Sequence, residues 1–79
     1  MLRYQVALHY PRAQGEMVVA EALDFPGAVS QGFDLPDARL MIASAMEDLA
    51  EMLSEPLPVP NPEVSAPDAD LIELVPLIK

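Results

Sequence analysis

Prolines at every second position, placed after a helical stretch, set the strongest limit on how this chain folds. Pro56, Pro58, Pro60 and Pro62 alternate with other residues, and Pro67 follows them. Proline has no amide hydrogen and a fixed φ, so such a segment cannot continue a helix and runs extended. We therefore predict a stiff surface connector over residues 54–70, within one domain that spans residues 1–79.

Alternating apolar residues predict the strands. The side chains that share one face of segment 2–10 are Leu2, Tyr4, Val6, Leu8 and Tyr10. This period of two indicates a half-buried strand, and the turn after it predicts a hairpin with a second strand over 16–23. A short third strand over 28–32 ends at Gly32. The last apolar run, 71–78, is a fourth strand, and Pro76 restricts it to a sheet edge.

Asp24-Phe25-Pro26-Gly27 joins the second strand to the third. Pro26 fixes φ at the second turn position and Gly27 accepts the positive φ of the next, which is typical of a type II turn. Asp24 is expected to initiate that turn.

A helix is predicted over residues 35–53. Asp34 caps its first amides, and Asp37 stands three residues later as in a capping box. Apolar residues then recur at spacings of three and four, which predicts one buried stripe. That stripe consists of Leu35, Ala38, Met41, Ile42, Ala45, Leu49, Met52 and Leu53. On this pattern Met41 and Met52 belong to the core, whereas Met46 lies off the stripe and is exposed.

These elements predict an α+β fold, a two-layer β-β-β-α-β sandwich with an antiparallel meander and a final edge strand. One helix covers one face of the sheet, and no second helix is predicted for the other. An uncovered face that carries apolar side chains favours docking of another chain, so we expect a homo-oligomer.

The charge balance narrows the possible partners. Four basic residues stand against thirteen acidic ones, for a formal net charge of −9 over 79 residues. The scattered cations form no stripe that could neutralise phosphates, so direct nucleic-acid binding is not expected. An anionic membrane surface is disfavoured for the same reason. No signal-peptide pattern or membrane-spanning run is visible, which predicts a cytoplasmic protein.

The sequence offers few candidates for catalytic residues. The chain has no cysteine and a single histidine, His9, without a local partner. Ser30, Ser44, Ser54 and Ser65 stand in no activating motif. Asp24, Asp34 and Asp37 are near enough in sequence to suggest a divalent-metal site, but their turn and capping roles explain them better. We expect no catalytic residue, no metal and no cofactor, and hence no enzyme.

The run from Asp24 to Gly32, followed by the capped helix, resembles the HicB-like antitoxin family of bacterial type II toxin–antitoxin systems. Members show an acidic residue, an apolar residue, Pro-Gly, a short strand and then a capped amphipathic helix. The resemblance implies a degraded ribonuclease-H-like fold without the catalytic carboxylates. It also implies binding to a small basic toxin of HicA type, which cleaves messenger RNA. The motif residues that carry over are structural: Asp24, Pro26, Gly27, Gly32 and Asp34.

The sequence departs from the family at two points. Many members continue into a DNA-binding segment, whereas this sequence stops at Lys79, and the position before Asp24 is Leu23 instead of the frequent proline. Two alternatives therefore stay open. One is an orphan homo-oligomeric HicB-like domain with another partner, and the other is a metal-dependent nuclease or hydrolase.

Overall fold

Four antiparallel strands and one helix make up the computed structural model, which describes residues 2–53 and 56–77. The fold is α+β, as the sequence predicts. In chain order the elements are β1 (Arg3–His9), β2 (Val18–Ala22), β3 (Val29–Gly32), α1 (Leu35–Met52) and β4 (Leu71–Pro76).

The strand order β3-β2-β1-β4 confirms the meander and places the last strand beside the first, at a sheet edge. β4 runs antiparallel to β1, and the Leu77 amide donates to the Leu2 carbonyl at 2.8 Å. Alternate residues of an antiparallel strand direct their backbone groups to opposite sides. Pro76 therefore turns its missing donor towards the free edge, where no hydrogen bond is lost.

The strands are shorter than predicted because side chains close the turns early. The Tyr10 amide donates to the Asp70 carboxylate at 2.7 Å, outside the β1–β2 ladder, so β1 ends at His9. The Glu16 carboxylate accepts from the amides of Arg12 and Ala13, which makes residue 16 part of the hairpin loop.

The connector and the chain end agree with the pattern where they are described. Residues 56–70 form no helix or strand, as the prolines predict. α1 ends at Met52, because Leu53 is extended at φ −80° and ψ 138°. Residues 54–55 of the predicted connector and residue 78 of the predicted last strand lie outside the described residues.

The turn between β2 and β3 is the predicted type II turn. The Ala28 amide donates to the Phe25 carbonyl at 3.2 Å, so Pro26 and Gly27 occupy the two central positions. Gly27 has a φ of +84°, which a side chain would strain.

Predicted capping of the helix is confirmed for Asp34, whose carboxylate accepts from the Asp37 amide at 2.9 Å. The reciprocal bond differs from a standard capping box. The Asp37 carboxylate accepts from the amide of Phe33, one residue before the cap, at 2.9 Å. Both carboxylates also face the positive end of the helix dipole.

The hydrophobic core lies between α1 and one face of the sheet. Tyr4, Val6 and Leu8 project from β1 into it, and Ile42 and Met46 project from the helix. The rings of Tyr4 and Phe25 meet edge to face, with centroids 4.9 Å apart. Such a contact adds about 1 kcal/mol to the burial of the two rings.

The predicted rotation of the helix is wrong at its methionines. Met46 is fully buried, whereas Met41 is exposed and Met52 is 81% exposed. Leu53, also assigned to the core, is exposed as well. The buried positions recur every four residues and are Ala38, Ile42, Met46 and Ala50.

Gly32 explains that rotation. A Cβ atom on Gly32 would lie 2.7 Å from the Cα of Ala38, so the absence of a side chain lets the helix backbone touch β3. This contact places Ala38 against the sheet. The residues that follow at intervals of four, Ile42, Met46 and Ala50, lie on the same side of the helix. Ala38 and Ile42 belong to the predicted stripe and are buried as expected, whereas Met46 and Ala50 are buried in place of Met41 and Met52.

Candidate protein-binding surfaces

The predicted motif residues do not converge on one site. Pro26 and Gly27 form a turn, Gly32 seats the helix on β3, and Asp34 caps the helix. Each therefore has a structural function that the contacts account for.

Asp24 has a different function from the predicted turn initiation. Its nearly buried carboxylate accepts from the amide of Gln5 on β1 and from the amide of Asn61 in the connector, each at 2.9 Å. One side chain thus joins three separate segments of the chain. Hydrogen bonds to a charged acceptor contribute about 1.5–3 kcal/mol each, so this contact anchors the connector firmly.

Tyr4 reinforces the same anchor. Its hydroxyl donates to the carbonyl of Pro58 at 2.6 Å, again in the connector. Burial of the side chain, together with the negative charge of Asp24, raises the pKa of Tyr4. The hydroxyl therefore stays protonated and keeps its role as donor at neutral pH.

His9 is the single histidine of the sequence, and it lies on the sheet face away from the helix. Its Nε2 is 3.9 Å from Oε1 of Glu21, a distance beyond a hydrogen bond. Ser30 on β3 pairs with Ala20, and its side chain projects to the opposite face of the sheet from His9. The geometry thus keeps this serine and the histidine apart.

The three carboxylates considered as metal ligands belong to two different parts of the fold. Asp24 bonds the connector, whereas Asp34 and Asp37 bond the helix start. Across residues 2–53 and 56–77, no group of three or more acidic or histidine side chains is placed to hold a metal ion.

Two outward surfaces carry apolar side chains that the fold does not bury. The first is the solvent-facing side of α1, which we call the helix surface. It comprises Leu40, Met41, Glu47, Asp48, Glu51 and Met52, with Phe33 just before the helix. Phe33 is 85% exposed and Leu40 is 69% exposed, so neither side chain is part of the hydrophobic core.

The helix surface is uniformly acidic. Within the described part of the chain, Glu47, Asp48 and Glu51 have no cationic group within 4.0 Å. Arg39 is the sole cation of α1, and it points towards the sheet, where it makes a bidentate pair with Glu73 of β4. Its Nε and Nη2 lie 2.8 and 2.7 Å from the two carboxylate oxygens.

Two ion pairs fix β4 and the connector to the rest of the fold. The Arg39 guanidinium donates to Glu73 and lowers the pKa of that carboxyl. In the same way Arg12 donates to Asp70 at 3.0 Å and, with the Tyr10 amide, lowers the pKa of Asp70. These pairs occupy two of the four basic residues of the chain.

The second surface is the side of the sheet that faces away from α1, which we call the open sheet face. Strand alternation and register place the following residues on it: Arg3, Gln5, Ala7, His9, Val19, Glu21, Val29, Gln31, Ile72 and Leu74. No helix among the described residues covers these side chains. The predicted face is therefore free of a helix, but Ala7 on it is fully buried, and Pro60 and Pro62 of the connector lie beside Arg3, Gln5 and Leu74 at one end.

Sequence reasoning missed the links that join distant segments. The Asp24 contact with Asn61 and the Arg39 pair with Glu73 span 37 and 34 positions. No local pattern indicates such contacts. The acidic character of the α1 exterior is a local signal, because Asp48 and Glu51 fall outside the predicted apolar stripe.

A search against family models gives no match for this chain, and comparisons with curated proteins and with solved structures give none either. None of the described helices is long and apolar enough to cross a bilayer.

Proposed function

We propose that this chain is an antitoxin domain of HicB-like type, which binds and neutralises a small basic toxin that cleaves messenger RNA. The observation that carries the proposal is the helix surface, where exposed Leu40, Met41 and Met52 lie among carboxylates that have no cationic partner within residues 2–53 and 56–77. The resemblance of segment 24–32 and the capped helix to that family supports it.

The chemistry of the partner follows from the substrate it must bind. A protein that cleaves RNA needs cations that hold the phosphate backbone. Glu47, Asp48 and Glu51 present carboxylates that such cations can bind in place of phosphates. The neighbouring apolar side chains contribute burial, which an exposed ion pair alone does not supply. A domain placed in this way blocks the RNA-binding surface of the toxin without any catalysis of its own.

A net charge of −9 also accelerates the encounter with a basic partner. Complementary charge raises association rates above the usual range of about 10⁵–10⁷ M⁻¹s⁻¹, and salt reduces the effect. We propose a cytoplasmic location, where messenger RNA and such a toxin meet.

The test pairs this chain with a small basic ribonuclease encoded next to it. We expect co-expression to relieve the growth arrest that the ribonuclease causes, and the purified proteins to bind with an affinity that falls as salt rises. Growth arrest that persists, together with no measurable binding, would contradict the proposal.

A matched pair of double variants tests the helix surface itself. Asp48→Asn/Glu51→Gln removes two carboxylates from α1, whereas Glu63→Gln/Asp68→Asn removes two exposed carboxylates from the connector. We expect the helix variant to weaken binding about tenfold, or about 0.7 kcal/mol per ion pair. The connector variant changes the same net charge and should weaken binding only about twofold. Equal losses would show that net charge acts without a local contact.

The alternative enzyme, a metal-dependent nuclease or hydrolase, is tested by calorimetry with magnesium or manganese. Heat of binding that Asp24→Asn abolishes would favour it. The contacts of Asp24 with two backbone amides favour a structural function for this residue.

A further inference from the structure

The open sheet face exposes apolar side chains on both outer strands. Val29 on β3 is 57% exposed and Leu74 on β4 is 61% exposed, and Ile72 is exposed beside Leu74. Val19 and Ala7 lie between them on the two central strands. Ala7 is fully buried and Val19 is half-buried, so the exposed apolar surface of this face is concentrated on the two outer strands.

The charge on this face is almost balanced. Among its residues in the described strands, Glu21 is the acidic side chain, and Arg3 and His9 lie on the same face. The helix surface instead carries three carboxylates and no cation. Two copies of a chain with net charge −9 repel each other, and that repulsion is smallest where the local charge is close to zero.

From this charge distribution we propose that the open sheet face is a self-association surface, on which a second copy of this chain packs face to face. Arg3 of each copy can approach Glu21 of the other, since one cation and one anion on the same patch are complementary to themselves. The contact involves neither the helix surface nor a toxin, so it stands or falls independently of the proposed function.

Pairing through the sheet edges is the competing arrangement, and both edges oppose it. β3 has only four residues, and Pro76 withholds a donor from the free edge of β4. Short edge strands and edge prolines are common ways to prevent edge-to-edge pairing.

The size of the face sets the expected affinity. Three inter-strand spacings of about 4.8 Å make it roughly 14 Å across, so the contact is at the small end of specific interfaces. We therefore expect a dimer that dissociates on dilution, with a dissociation constant in the micromolar range.

The experiment measures mass by sedimentation velocity over a concentration series that reaches about 1 mM, above the expected dissociation constant. Val29→Asp and Leu74→Asp each add a carboxylate to the open sheet face, on opposite edges of the sheet. Leu40→Asp is the matched control, since Leu40 is 69% exposed on the helix surface. Circular dichroism and Tm confirm that each variant folds.

We expect the wild type and Leu40→Asp to move from monomer to dimer as concentration rises, and both Val29→Asp and Leu74→Asp to stay monomeric. A wild type that remains monomeric throughout would overturn the proposal. Loss of the dimer in Leu74→Asp alone would also overturn it, because an edge contact through β4 gives that result. Loss in Leu40→Asp alone would move the contact to the helix and overturn it as well.

Discussion

The helix surface and the open sheet face expose comparable apolar side chains, yet they differ in charge. Leu40 and Met52 are surrounded by carboxylates, whereas Val29 and Leu74 share their face with Arg3, His9 and Glu21. Apolar exposure indicates that a surface can be covered, and charge decides by what. In the two proposals made above, the helix surface binds a basic partner and the open sheet face binds a second copy.

Replacement of Gly32 by alanine should have the largest effect on stability, because it disrupts the contact that holds the helix, and with it the helix surface, against the sheet. The added Cβ would overlap the backbone of Ala38. We expect a loss of about 3 kcal/mol or more, close to the whole stability of a domain this small. Urea unfolding followed by circular dichroism measures it.

Gly15→Ala is the control for that variant. Gly15 has a φ of +88° and open space around it, so alanine there costs backbone strain of about 1 kcal/mol without a clash. If the two variants lose equal stability, close approach of the helix at Gly32 is not what fixes its position.

The two sides of α1 can be compared through its methionines. Met46→Ala removes a fully buried side chain and should lower the free energy of unfolding by about 2 to 3 kcal/mol. Met41→Ala makes the same chemical change on the helix surface and should alter it by less than about 0.5 kcal/mol. Thermal unfolding of both variants, analysed at one temperature, gives the difference. The opposite ranking would mean that the helix has the rotation predicted from the sequence.

Glu73→Gln gives the smallest effect and depends on pH. Arg39 lowers the pKa of Glu73 in the folded protein, so the pair stabilises above the unfolded pKa of about 4.5 and the benefit is lost as pH falls through the folded value. Both side chains of the pair are partly exposed, which keeps its contribution small.

The Glu73→Gln effect is measured as a difference in Tm from the wild type across a pH series. The difference should be largest above the unfolded pKa of about 4.5 and should fade as pH falls through the lowered folded pKa of Glu73. A difference that stays constant throughout the acid range, down to the pH at which the wild type unfolds, would show that the substitution acts through packing and not through the lost charge.

The fold could be predicted from the sequence because local signals agree with one another. Alternation predicted β1, the flanking turns predicted β2 and β3, and an apolar run predicted β4. Pro26-Gly27 predicted the turn, Asp34 the helix start, and Pro76 the edge position of β4. Each of these features depends on a few neighbouring residues and on backbone geometry that the residue types dictate.

The helix rotation could not be predicted in the same way. The predicted stripe and the buried one share Ala38 and Ile42, and they differ further along the helix, where burial depends on how α1 packs against other elements. The Asp24 and Arg39 contacts likewise join residues far apart in the chain. The charge and residue types of the two surfaces were readable from the sequence, but the helix surface could be defined only once the rotation was known.

The pairing of β4 with β1 has a consequence for how the molecule opens. Leu71 pairs with Leu8, so this ladder joins segments at the two ends of the described chain, whereas the meander pairs neighbours. Ladders that close such long loops carry the largest entropic cost and form late. We expect β4 to be the first strand to detach in partial unfolding, which would leave β1 to β3 and the helix together. The backbone of β1 would then form a new sheet edge. Misassembly between copies would therefore begin at the position that β4 vacates.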